Sequence, residues 1–106
     1  MDSRSGNNQR RMNIQQLHSD SKDVSFVPVF KGEAGTVTAM KIQPGKKVEK
    51  HTTNVPALLV CLAGKAVYQD EKGFNETLLP GDYVKIEPMV VHWVESDSGS
   101  DLLLIK

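Results

Sequence analysis

From Val24 onward the chain is cut into short runs rich in Val, Ile, Thr and Tyr by the turn-forming clusters "KGEAG", "QPGKK", "TNVP", "DEKG", "LPGD", "IEP" and "SDSGS". This punctuation constrains the fold more than any other feature. It leaves no stretch with a convincing helical period, whereas runs of five to eight β-branched and aromatic residues between turn signals read as strands. The runs predict strands near 24–30, 36–42, 47–53, 57–63, 65–70, 74–79, 83–87, 90–96 and 101–105, with "DEKG" as the clearest hairpin turn. Such a rhythm is expected of an all-β sandwich or barrel. With 106 residues, the chain has room for a single domain with one modest core.

Residues 1–22 have a different composition, mixing Ser, Asn, Gln, Arg and Asp with few large apolar side chains, too little to repay the entropy of ordering. They are expected to be a flexible N-terminal tail, in which "MNIQQL" can form a short turn or an edge contact and His18 has no assigned role. The barrel domain is expected over 23–106. The 13 Lys and Arg balance the 13 Asp and Glu, so the field that gathers nucleic acid or an anionic membrane is missing, and neither partner is expected. The longest apolar run, Pro56 to Gly64, is far below the roughly 20 residues that span a bilayer, and no secretory signal is visible. Together with the single cysteine, Cys61, this gives a soluble, cytoplasmic expectation.

Successive strand residues point to opposite faces. On that parity Glu49, His51 and Thr53 share one face, and His92 shares a face with Val90 and Val94. Two segments, "ALLVCL" and "MVVHWV", are apolar on both faces, so both faces are covered. In a chain this small one face meets the other sheet, and the second is expected to meet a partner subunit. Val91 and Trp93, which point away from His92, are the candidate contacts of a homodimer.

The segments "PGKKVEKHTTNVPALLVCLAGKAV" and "LLPGDYVKIEPMVVHWVES" resemble the first and second motifs of the cupin superfamily, and the likeness covers about Ile42 to Ser96. It implies a double-stranded β-helix, or jelly roll, with a pocket inside the barrel. Metal-binding cupins carry two histidines and a glutamate in the first motif and a third histidine in the second. The resemblance places His51 at the first histidine, Thr53 at the second, Ala57 at the glutamate and His92 at the last histidine. Gly64, Pro80, Gly81 and Pro88 match turn positions, and Met89 replaces the glycine often found after that proline.

The metal motif is thus degenerate. A tightly held divalent cation needs three or more imidazole, carboxylate or thiolate donors. Thr53 offers a neutral hydroxyl and Ala57 nothing. His51 and His92 therefore hold Zn, Ni, Mn or Fe weakly or not at all, unless Glu49 swings in as a third ligand. Cys61 faces the side where the absent glutamate would project and reads as a small core residue. Asp82 reads as a turn residue that bonds backbone amides.

The expected pocket is lined by His51, Thr53, Ala57, Leu59, Cys61, Val90, His92 and Val94, with Met40 and Ile42 beside them. Such an apolar cavity with a few polar groups at one end suits a small organic ligand. Binding of a small molecule, with or without a divalent metal, is the first reading. Two alternatives use the same residues: a metal-dependent dioxygenase-type enzyme, or an isomerase or epimerase with an imidazole base and Tyr68 or Tyr83 as acid. A ligand-sensing accessory domain is a further reading, and the absence of a helix-turn-helix segment argues against a self-contained transcription factor.

Overall fold

The computed structural model describes residues 11–19 and 21–106. Half of the tail expected over 1–22, residues 1–10 and 20, lies outside the described residues. What is described of it begins with a 3-10 turn over Ile14–Gln16, capped by Asn13, whose side-chain oxygen accepts from Gln15 N at 2.8 Å. His18 then comes to rest on the first strand, its Nδ1 2.8 Å from Ser25 Oγ.

Nine strands follow: β1 (Val24–Lys31), β2 (Thr36–Ile42), β3 (Lys46–His51), β4 (Ala57–Gly64), β5 (Ala66–Asp70), β6 (Asn75–Leu78), β7 (Tyr83–Ile86), β8 (His92–Ser96) and β9 (Ser100–Ile105). They form two antiparallel sheets, one ordered β1-β2-β9-β4-β7 and the other β3-β8-β5-β6. Sequence neighbours such as β3 and β4, or β8 and β9, fall in different sheets, so the chain winds back and forth between the layers. This is the double-stranded β-helix expected from the motifs.

The turns were legible because their chemistry is local. In the β5–β6 hairpin Asp70 Oδ1 accepts from Lys72 N and Phe74 N, at 2.9 and 3.3 Å, and Gly73 takes a positive φ of 94°. In the turn before β7, Asp82 Oδ2 accepts from Leu79 N at 2.9 Å, the backbone role expected of it. Gly64, with φ 76°, ends β4 where a Cβ would run into the Gly99 carbonyl, so only glycine fits.

Two strand ends differ from expectation by more than one residue. β3 stops at His51 rather than at 53, because Thr53 leaves the ladder and donates its hydroxyl to Val55 O at 2.9 Å. β8 begins at His92 rather than at 90, because Met89 adopts a left-handed φ of 65° and Val91 N is taken by Glu71 Oε2 at 2.9 Å.

Across the five-stranded sheet the inward residues stand in register. Met40, Leu102 and Cys61 form one row, and Thr38, Leu104 and Leu59 the next. From the second sheet Ala66, Tyr68, Leu78 and Val94 close against them to make one core. Burial of this apolar surface supplies the main driving force for the fold.

Candidate functional site

His51 and His92 are partners across the β3–β8 ladder, although 41 positions apart in sequence, with ring centroids 4.2 Å apart. A bulge makes this possible. Val48 pairs with Val94 and His51 with His92, so three steps along β3 oppose two along β8. The extra residue resets the parity: Val48 and His51 face the barrel interior together, while Glu49 turns outward, its carboxylate 3.9 Å from Lys47 Nζ. The expectation that Glu49 shares the face of His51 is therefore corrected, and in this arrangement its carboxylate is not grouped with the two imidazoles.

Each ring is held by the backbone two residues before it. His51 Nδ1 donates to Glu49 O at 2.8 Å, and His92 Nδ1 donates to Val90 O at 2.9 Å. A carbonyl oxygen only accepts, so Nδ1 carries the proton in both rings and each Nε2 presents a lone pair. Neither Nε2 has a hydrogen-bond partner in the protein among the described residues. His92 is buried, and that burial, with the neighbouring His51, pushes its pKa below the usual imidazole value, so the ring is neutral near pH 7.

The two rings stand on the wall of a cavity of about 530 Å³, which opens at one end of the barrel. Thr53, Leu59 and Val94 also line it, as does Met40. Ala57, Cys61 and Val90 do not. Ala57 and Cys61 belong to the packed core, and Val90 is buried behind the turn that enters β8. Ile42 likewise sits in the core. The Cys61 thiol lies over the Ala63 and Gly64 carbonyls, at 3.6 and 3.8 Å, and burial raises its pKa, so it is an unreactive side chain.

Sequence parity missed Phe26, Thr38, Val48, Ile86, Leu104 and Lys106, all on the cavity wall. The alternation of β2 and β9 does give Thr38 and Leu104 the inward face of Met40 and Leu102. What it withholds is that β2, β9 and β4 are neighbours.

Neither tyrosine serves the cavity. Tyr68 packs beneath His92, with ring centroids 5.8 Å apart, and donates its hydroxyl to Asp70 Oδ2 at 3.1 Å. Burial and that carboxylate raise its pKa, and it does not reach the cavity surface. Tyr83 is exposed on the other side of the five-stranded sheet, beside Asp82 and Glu76. An imidazole–tyrosine acid–base pair is thereby removed.

On the outer face of the smaller sheet Val91 and Trp93 are half-buried, and Lys50 Nζ stands 4.8 Å from the Trp93 ring centroid. More apolar surface is exposed on β1, at Phe26, Val29 and Phe30.

By sequence, no family model and no curated protein matches the chain. Solved structures do. A cupin superfamily protein from Desulfitobacterium hafniense superposes with a TM-score of 0.80 at 16% identity, covering 92% of this chain and 91% of that one. The chain has the cupin fold. A cupin-like protein from Thermotoga maritima gives a TM-score of 0.71 at 25% identity over 78% of this chain and 67% of that one. A cupin-2 domain protein from Shewanella frigidimarina gives 0.68 at 14% identity, covering 77% and 78%. Among the described residues of this small cupin-fold protein, no group of three or more His, Cys, Asp or Glu is placed to hold a metal ion, and no helix is long and apolar enough to cross a membrane. Two nitrogen donors do not fit a tightly held resident metal.

Proposed function

We propose that this protein binds a small organic molecule in the barrel cavity, its apolar part against Met40, Leu59, Ile86, Val94 and Leu104 and a hydrogen-bond donor turned to the two imidazoles. The observation that carries this reading is the pair of Nε2 lone pairs, each fixed by an Nδ1–H bond to the backbone carbonyl two residues before it, on the wall of a largely apolar cavity of about 530 Å³. That volume lies in the range of small-molecule sites, and a few oriented polar groups in an apolar lining give a site its specificity.

Titration with benzyl alcohol, followed by the imidazole 15N signals, tests it. Both Nε2 resonances are expected to move along one saturation curve. Thr38→Phe, which places a ring in the cavity from a half-buried position, is expected to abolish the shifts. Curves that do not saturate, or that Thr38→Phe leaves unchanged, would end the reading.

A second reading is supported by the same locked tautomer, which is the form that ligates metals and has its second nitrogen anchored. In it the two Nε2 atoms hold a divalent ion weakly, and water or the guest supplies the remaining ligands. Tag-free protein incubated with Zn, Ni, Mn or Fe is then expected to retain metal that His51→Ala loses. Retention under about a tenth of an ion per chain would sink it, since even a modest site fills under such loading.

A further inference from the structure

Three charged residues border the cavity, and two of them direct their charge elsewhere. The Glu49 carboxylate lies 3.9 Å from Lys47 Nζ, and the Lys50 ammonium sits over Trp93. The third is Lys106. Its backbone is tied on both sides to Thr36, donating from N to Thr36 O at 3.0 Å and accepting at O from Thr36 N and Thr36 Oγ1. This continues the β2–β9 pairing by one step and keeps Lys106 on the inward parity of Leu102 and Leu104. Among the described residues its ammonium has no acidic partner within 4.0 Å.

An uncommitted cation at the edge of an apolar cavity attracts an anion more strongly than it would on an open surface, because low-dielectric walls weaken solvent screening. The two Nε2 atoms have the opposite preference. As acceptors, they disfavour a carboxylate and favour a hydroxyl or N–H donor. Lys106 comes from the five-stranded sheet and the histidines from the four-stranded one, so the two preferences face the guest from different walls. The positive charge of Lys106 reaches His92, where it adds to the factors that disfavour protonation.

We propose that the guest of this cavity is a small hydroxy acid, an apolar body with a carboxylate that pairs with Lys106 and a hydroxyl that donates its one proton to Nε2 of either His51 or His92. The proposal rests on the reading of the cavity as a small-molecule site and adds the charge and polarity of the occupant. One uncommitted cation matches a monoanion. A phosphate dianion would leave charge uncompensated, and a cationic guest would meet no carboxylate. Lys106 is then a specificity-determining residue.

Four matched compounds test it on chelator-treated protein: 4-hydroxyphenylacetate, phenylacetate, 2-(4-hydroxyphenyl)ethanol and tyramine, each followed by calorimetry and by the imidazole 15N signals. The hydroxy acid is expected to bind about tenfold more tightly than the neutral diol, a step typical of a hydrogen-bonded charge pair. Phenylacetate is expected to bind more weakly than the hydroxy acid, and tyramine most weakly of all. Lys106→Met is expected to abolish the preference for the acid over the neutral diol, and Lys106→Glu to reverse the order of acid and amine. Equal binding of acid and diol, or a preference that survives in Lys106→Met, would overturn the hydroxy-acid proposal and leave the cavity reading standing. Absence of saturable imidazole shifts with all four compounds at millimolar concentration would overturn both.

Discussion

The row of Met40, Leu102 and Cys61 divides the barrel interior into two unlike halves. Toward β4's glycine end, Ile42, Ala66 and Leu78 fill the space between the sheets and are almost wholly sealed from solvent. Toward the other end, Thr38, Leu59 and Leu104 face His51 and His92 across open volume. The same strands build both halves, so the difference comes from side-chain identity. Large apolar groups meet in one half, while in the other two imidazoles and a threonine stand where further apolar groups would close the gap. A close-packed interior resists removal of even a methylene, whereas a cavity wall has already forgone those contacts. The packed half supplies stability, and the hollow half is free to take a ligand.

The sharpest way to break this division is to truncate one leucine from each half of the same strand. Leu102 and Leu104 are two residues apart on β9, one fully sealed and the other half-buried on the cavity wall. Leu102→Ala is expected to cost about 3 kcal/mol in chemical denaturation, the usual result when a sealed leucine leaves a cavity behind. Leu104→Ala is expected to cost about 1 kcal/mol, since it loses only partial burial and enlarges a space already open. Equal losses would mean that the hollow half is packed in solution.

A second test uses histidines, one on the outside of the packed half and one in the hollow. His18 Nδ1 is bonded to Ser25, and its Nε2 is sealed without a partner. Burial lowers the His18 pKa, the nearby Asp101 works in the opposite direction, and Lys41 again lowers it. His92 is lowered by burial and by His51 and Lys106, against the raising effect of its bond to Val90 O and of Asp70. In both cases the unfolded chain binds its proton first as pH falls. Their contribution is therefore fully present above the ordinary value of 6.5 and is lost as pH falls through the depressed folded value. The slope is bounded at about 1.4 kcal/mol per pH unit per group. Below pH 6.5, His18→Gln and His92→Gln are each expected to make the unfolding free energy fall less steeply as pH is lowered. A profile unchanged by either substitution would contradict both depressed values.

Much of the architecture is legible in the sequence because it is written locally. Turn chemistry at Asp70, Gly73 and Asp82, and β-branched runs between such turns, need no knowledge of distant partners. The site was legible at His51 and Thr53 through the motif resemblance, and elsewhere only where it rests on strand parity that holds without interruption, as for Leu59 and for His92 with Val94. Parity failed at the bulge between Val48 and His51, because an extra residue in one strand is defined by the other strand and leaves no mark of its own. It also misplaced Cys61, which does face inward but into the packed half. Position along a strand, as opposed to face, follows from register with β9 and β7, and a single sequence does not state register. The cation at Lys106 was missed for the same reason, since its place at the cavity follows from β9 lying beside β2.

The smallest effect expected concerns how the hollow half is held open. Met89 precedes the strand that carries His92 and adopts a φ of 65°, the only positive value outside glycine among the described residues. A side chain in that region costs about 1 kcal/mol through the clash of Cβ with its own backbone, a cost that glycine avoids. Met89 recovers little in return, being 65% exposed, and its anchoring contact is made by the backbone, from Met89 N to Thr53 O at 2.7 Å. Met89→Gly keeps that bond. The relief of strain is partly offset by the larger entropy glycine loses on folding, so a net gain of about 0.5 kcal/mol is expected in chemical denaturation. Because the bond ties the turn before His92 to the turn after His51, the variant is also expected to leave the imidazole 15N shifts unchanged. A loss of stability, or a displaced His92 signal, would show that the methionine side chain itself helps to hold the two histidine-bearing segments together.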